Sequence, residues 1–301
     1  MNDRKSRRPA SEAEQAFLAG AAIYPFPMIQ LEKGSSDPAV RAIDLLCPMG
    51  RGQRGLLVSA PGLGKTTILQ QICRAVAKGY PEMQIYCLLI DERPEEVTDF
   101  TRNANGAVYA SSLDEPPEHH LAVVEDLMPR AFEAAAAGKH VLILLDSLTR
   151  LTRAFQTQAQ NHGRTLSGGL NAAALVVPRK IFGAARNVEH QGSISILATI
   201  LVETGSLMDN VIFEEFKGTG NMELVLSKEL AIQRLFPAVN VLQSGTRRDE
   251  LFFTPEQNAS RQALHKYLAT QSSNPVAAMK NLQKLFDKYP TNQALLNSFC
   301  E

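Results

Sequence analysis

The chain has 301 residues, 45% hydrophobic and 21% charged, enough apolar material for a large core and too much for a disordered segment. Lys+Arg and Asp+Glu balance at 31 each, so the net charge of +0 excludes a globally basic nucleic-acid binder and leaves any such surface as a local patch. No apolar run has the length of a membrane span and none follows the basic residues Arg4, Lys5, Arg7 and Arg8, so a cytoplasmic protein with no membrane partner is expected.

Residues 1–40 read as an extension that begins with a solvated basic tail. Beyond them, short apolar runs alternate with longer amphipathic stretches. Strands are expected over 55–59, 84–90, 107–111, 140–145, 193–202 and 222–227, and helices over 66–78, 94–103, 122–137 and 171–185. Residues 156–169 are polar and contain glycine, which points to a long loop. From 254 onward the text turns helical, with Pro275 and Pro290 as breaks. Short apolar strands separated by helices imply an α/β fold, with a mainly parallel twisted sheet covered on both faces. Cys47, Cys73, Cys87 and Cys300 lack metal or disulfide spacing; Cys73 and Cys87 sit in apolar runs as reduced core residues.

The strongest local pattern is Ser59-Ala60-Pro61-Gly62-Leu63-Gly64-Lys65-Thr66, between a buried strand and a helix. This is the context of a phosphate-binding loop, in which backbone N–H groups and the positive end of a helix wrap a nucleotide phosphate. Pro61, Gly62, Leu63, Gly64, Lys65, Thr66 and Thr67 form the expected ATP cradle, with Lys65 reaching the β- and γ-phosphates and Thr66 ligating Mg²⁺. Ser59 stands where the motif G-x-x-x-x-G-K-[ST] has its first glycine; a glycine-rich turn with a chance Lys-Thr pair is the bland alternative.

Two carboxylates sit at strand ends. Asp146, in Leu144-Leu145-Asp146-Ser147, is placed to hold Mg²⁺ through its water shell, although many strands end in Asp simply to cap a turn. Glu92 is a candidate to position the attacking water, on a strand expected beside the phosphate-loop strand. Pro94, Glu95 and Glu96 after it suit the first turn of a helix.

The stretches RGQRGLLVSAPGLGKT, LLIDERPEEVTDF, ILLDSLTRLTRA, FGAARNVE, FEEFKGTGNMEL and SGTRRDEL, in this order, resemble the transcription termination factor Rho family from about residue 43 to 251. The resemblance implies a RecA-like P-loop ATPase domain over 41–253 and a small helical subdomain over 254–301. It also implies a homo-oligomeric ring, a hexamer, that hydrolyses ATP at subunit interfaces and pulls single-stranded RNA through its centre, with RNA polymerase as a further partner. It supports the roles of Lys65, Thr66, Glu92 and Asp146. It adds Arg247 as an arginine finger reaching a neighbour's nucleotide, Arg234 as a second interface arginine, Phe236 as the side chain stacked on adenine and Lys217 as an interface lysine. From spacing alone these arginines read as surface solvation.

The chain departs from the family pattern in three places. The text before Ser59 is too short for the family's OB-like RNA-capture domain and does not read as one. Leu207, in Thr204-Gly205-Ser206-Leu207, replaces a pore lysine, and the family's basic residue near Gly62 is missing. Arg164, Thr165 and Ser167 keep hydrogen-bonding capacity toward RNA in the other pore loop. Two functions follow: an RNA-dependent helicase or terminator, or a Rho-derived ATPase acting as regulator or assembly partner without moving RNA. Glu92 and Arg247 argue against a ring with negligible turnover.

Overall fold

The structure, a computed structural model, describes residues 10–159, 165–270 and 274–300. In chain order the elements are α1 (Glu12–Ala19), β1 (Ala22–Ile23), α2 (Pro38–Leu46), β2 (Arg54–Ser59), α3 (Lys65–Gly79), β3 (Gln84–Glu92), α4 (Pro94–Asn103), β4 (Ala107–Ser112), α5 (Pro117–Ala136) and β5 (His140–Asp146). They continue as α6 (Leu148–Ala159), α7 (Val176–Gly183), β6 (Arg186–Val188), β7 (Ser193–Leu201), α8 (Leu207–Lys217), β8 (Met222–Val225), α9 (Lys228–Ile232), β9 (Gly245–Thr246), α10 (Pro255–Thr270), α11 (Pro275–Lys288) and α12 (Asn292–Asn297).

The sheet runs β4-β3-β5-β7-β2-β8-β9. All pairs from β4 to β8 are parallel; β9 closes one edge antiparallel, and β1 and β6 add an antiparallel ribbon on β7. Alternation along a strand sends successive side chains to opposite faces. In β2, Leu57 therefore joins the core that holds Leu69, Ile72 and Val76 of α3, while Leu56 and Val58 join the core of Leu127, Phe182 and Phe216. Burying both faces of a parallel sheet is what makes β5 and β7 continuous apolar runs.

Several segments differ from the sequence expectation. The extension over 1–40 is, from residue 10 onward, part of the fold rather than a linker. Phe17 of α1 is fully buried against Phe132 with ring centroids 6.0 Å apart, and buried Ile29 and Leu31 join the α3 core. Apolar residues are frequent there, but Gly20, Pro25 and Pro27 break any helical or strand period, so only the docked partner reveals which of them are buried. The polar stretch after Gln156 begins as the last turn of α6, which Leu148 and Leu151 anchor in the core. The single helix expected over 171–185 is a 3-10 turn at Ala172–Leu175 followed by α7. Helices α10 to α12 share the α3 core through Leu264, Leu282 and Leu295, and Arg261 donates to the Leu45 carbonyl at 3.1 Å.

Candidate active site

β2 delivers Ser59 to the C-terminal edge of the sheet, where its hydroxyl donates to the Ala60 carbonyl at 2.7 Å. The chain then turns through Gly62 at φ +80° and Gly64 at φ +89°, both in the left-handed region that a side chain resists. Gly64 caps α3 and supplies no side-chain acceptor, so the first N–H groups of the helix are left for a ligand. Buried Leu63 pins the loop to the core, Thr66 is half-buried, and Pro61, Gly62 and Thr67 are exposed.

Lys65, the first residue of α3, reaches across the strand ends. Its Nζ lies 2.7 Å from Glu92 Oε1 and 2.9 and 2.7 Å from the two oxygens of Asp146. Both carboxylates are buried. Thr199 of β7 donates to Asp146 Oδ1 at 2.7 Å. Arg150, in the first turn of α6, holds Glu92 Oε2 at 3.2 Å and also donates to the Asp91 carbonyl. Two cations thus face two carboxylates in a buried cluster, the arrangement in which such charges are tolerated. Burial lowers the Lys65 pKa, but the charges of Asp146 and Glu92 outweigh it and hold the ammonium above its ordinary value. Burial raises Asp146 despite Lys65 beside it.

The expectation that Glu92 stands on the strand beside the phosphate-loop strand is corrected here: the order β3-β5-β7-β2 puts two strands between them. Glu92 meets Lys65 because the long lysine spans the gap, and because β3 carries a bulge. Asp91 sits at φ +58°, and the register with β4 shifts between Ile90 and Glu92, which re-aims the glutamate. Arg150 and Thr199 were not singled out in the sequence. Arg150 had a weak signal, as a cation one turn beyond Asp146; Thr199 had none, lying inside an apolar strand.

The remaining candidates divide by position. Phe236, 56% exposed, and exposed Arg234, at φ +53°, follow α9 and so lie at the same end of the sheet as the phosphate loop. Exposed Arg247 lies at the other end: its N–H donates to the Asn221 carbonyl, just before β8 begins, at 2.9 Å. Lys217 ends α8, 5.4 Å over the Phe213 ring, at a cleft of about 630 Å³ that Glu203 and Glu223 also line. Thr165 and Ser167 are exposed, whereas Arg164 lies outside the described residues. Leu207 is 72% exposed at the start of α8, and a Cβ on Gly168 would come within 2.9 Å of the Leu207 backbone, so the two loops pack together. Below them Arg153 of α6 grips buried Asp209 of α8 through both carboxylate oxygens, at 2.8 and 2.6 Å.

The nucleotide-binding domain of the ATP synthase alpha/beta family matches residues 39–246. Transcription termination factor Rho of Aquifex aeolicus is 45% identical over 278 residues, 92% of this chain and 63% of that protein, so more than a third of that relative lies outside the match. Rho of Streptomyces coelicolor is 44% identical over 290 residues, 96% of this chain and 69% of that protein. Among solved structures, a prototypical ATPase of a bacterial type III secretion system superposes with a TM-score of 0.71 at 24% identity, covering 92% of this chain and 85% of the other, a likeness of fold. The chain therefore belongs to the transcription termination factor Rho family, through a RecA-like P-loop domain of the ATP synthase alpha/beta type.

Proposed function

We propose that the chain binds Mg²⁺-ATP in the loop over 59–67 and hydrolyses it in a ring of identical subunits, a hexamer, that acts on single-stranded RNA in transcription termination. The observation that carries this reading is the convergence of Lys65, Glu92 and Asp146 in front of an uncapped helix N-terminus. A phosphate cradle, a cation for the β- and γ-oxygens and two carboxylates at strand ends are the parts that phosphoryl transfer to water requires. The donor set fits the metal: Thr66, the second residue of α3, would offer its hydroxyl to a bound Mg²⁺, and Asp146 would hold the ion through water. A bound Mg²⁺ supplies neutralisation of the phosphate charge. Glu92, kept in place by Lys65 and Arg150, orients the attacking water, and exposed Phe236 offers its ring to adenine.

Arg247 supports a shared site. β2 and β8 are parallel; the phosphate loop leaves the C-terminal end of β2, and Arg247 stands beside the N-terminal end of β8. The six residues of β2 span roughly 20 Å, so Arg247 is out of reach of its own chain's nucleotide and free to serve a neighbour's. Arg234 and Lys217 are assigned to the same interfaces. The ATP chemistry is assigned to 41–253, with 254–301 as its helical buttress. RNA polymerase and a cytoplasmic location belong to the same reading; among the described residues no helix is long and apolar enough to cross a membrane.

Leu207 favours a second reading, a ring that hydrolyses ATP as a regulator or assembly partner without pulling RNA. An exposed leucine where the family has a lysine gives no charge to a phosphate backbone. Mg²⁺-dependent ATPase activity of wild type and Lys65→Ala tests the common core of both readings. The variant is expected to lose at least about a hundredfold in turnover. Wild-type turnover in Lys65→Ala would remove the loop from the site.

A further inference from the structure

Two thiols face each other between the helix that starts at the phosphate loop and the strand that ends at Glu92. Sγ of Cys73, about two turns beyond Lys65 on α3, lies 3.8 Å from Sγ of Cys87 in the middle of β3. Both side chains are buried in the apolar layer between α3 and the sheet. A buried thiol alone is a small apolar group that packs well and needs no further role. Here the sulfurs touch, from separate elements, and they need to close only from 3.8 Å to about 2.05 Å to bond.

The pair is also asymmetric. Donation from the Cys87 S–H lowers the Cys73 pKa against the effect of burial, helped by the Asn105 backbone N–H. That same donation, with burial, raises Cys87. Cys73 is therefore the better nucleophile of the two. Asn105 is an exposed residue of the turn between α4 and β4, so the Cys73 sulfur, itself fully buried, lies directly beneath a surface turn.

We propose that Cys73 and Cys87 are a redox modification site, at which a peroxide converts the two thiols to an intramolecular disulfide that ties the phosphate-loop helix to the Glu92 strand. The Cys73 thiolate attacks one peroxide oxygen, the O–O bond breaks, and the leaving hydroxide takes a proton to become water. The Cys87 sulfur then attacks the sulfenic sulfur of Cys73, the S–O bond breaks, and a second water leaves with the Cys87 proton. Two thiols have lost two electrons and two protons, and hydrogen peroxide has become two waters. Bond formation brings the two sulfurs about 1.75 Å closer, a change that side-chain rotation and a shift of α3 toward β3 must share. Lys65 is on the same helix, so its reach to Glu92 and Asp146 shifts; the expected slowing of turnover rests on the ATPase reading above, whereas the disulfide itself does not.

The test uses the full chain carrying Cys300→Ser, which removes the exposed thiol able to bridge two molecules. The protein is treated with hydrogen peroxide in native buffer, its free thiols are blocked with iodoacetamide, and tryptic peptides are weighed. The expected product is peptide 66–74 joined to peptide 79–102, two hydrogens lighter than their sum. It is absent in Cys73→Ala and Cys87→Ala and is lost on dithiothreitol treatment. ATP turnover is expected to fall about tenfold with it and to recover with dithiothreitol. Peptides recovered separately, or joined only when the protein is unfolded during oxidation, overturn the site; joined peptides with unchanged turnover overturn its coupling to the ATP cluster. The peptide map decides the first point even in a protein without ATPase activity.

Discussion

Nζ of Lys65 lies 2.7 Å from Oε1 of Glu92, although β7 and β5 separate the strand before Lys65 from the strand that carries Glu92. Lys65, the first residue of α3, also meets a second carboxylate, Asp146, on the way to Glu92. Glu92 in turn has Arg150 on its other oxygen. The set is electrically balanced and buried, so each member depends on the others, and removing one leaves an uncompensated charge. That dependence makes single substitutions informative.

Glu92→Gln keeps the shape and an oxygen for Lys65 but loses the negative charge between Lys65 and Arg150. On the proposed function, ATP affinity should change only a few-fold, while turnover falls by about a hundredfold or more, because a group that orients and deprotonates water acts in the transition state. Nucleotide binding by fluorescence and single-turnover hydrolysis separate the two. Equal losses in both would make Glu92 a structural residue.

Asp44 of α2 should make stability depend on pH. It is fully buried and accepts N–H donation from Leu31 at 3.0 Å and Glu32 at 2.8 Å. Burial outweighs those two bonds and pushes its pKa from 3.8 up to about 7. An acid whose folded pKa is raised stabilises the fold where it is protonated, and that stability is lost as pH rises toward about 7. The difference corresponds to on the order of 4 kcal/mol. Wild type should therefore melt at a higher temperature at pH 5 than at pH 8 through this group, and Asp44→Asn should reduce the difference. Parallel Tm–pH curves for the two proteins would contradict this.

Leu207→Lys restores a cation at an exposed position and costs the fold little, since a lysine at a helix N-terminus is disfavoured by only about 0.3–1 kcal/mol. If Leu207 faces a pore, the variant should show stronger stimulation of ATP turnover by poly-pyrimidine RNA, with a steeper loss on adding salt. Strong stimulation in wild type that Leu207→Lys leaves unchanged would place the RNA contacts elsewhere. Stimulation in the variant alone would favour the regulator over the translocating motor.

The phosphate loop was legible because everything it needs is local: a strand, glycines at two left-handed positions, Lys65, Thr66 and a helix. Asp146 and Glu92 were legible as carboxylates at the ends of apolar runs. Their spatial relation was not, because strand order is set by long-range pairing, and the insertion of β7 between β2 and β5 leaves no trace in either strand. The bulge at Asp91 and the Thr199 hydroxyl escaped for the same reason; each matters only through a partner far away in sequence. Helix α8 has apolar Ile212 and Phe216 at helical spacing, yet Gly205 and Ser206 before it read as a loop. Arg247 was legible only through family resemblance; its place at the far end of β8 supplies a geometric reason for a role in trans.

On the proposed function, two copies of this chain complete one ATP site. Lys65→Ala and Arg247→Ala should each be inactive alone, one lacking the phosphate lysine and the other the finger, whose loss is worth about 10³ or more in rate. Mixing them after subunit exchange creates interfaces that pair an intact phosphate loop with an intact Arg247. ATP turnover is expected to return to a measurable fraction of wild type in the mixture. A mixture as inactive as either parent, or an Arg247→Ala protein that turns over ATP like wild type, would contradict it.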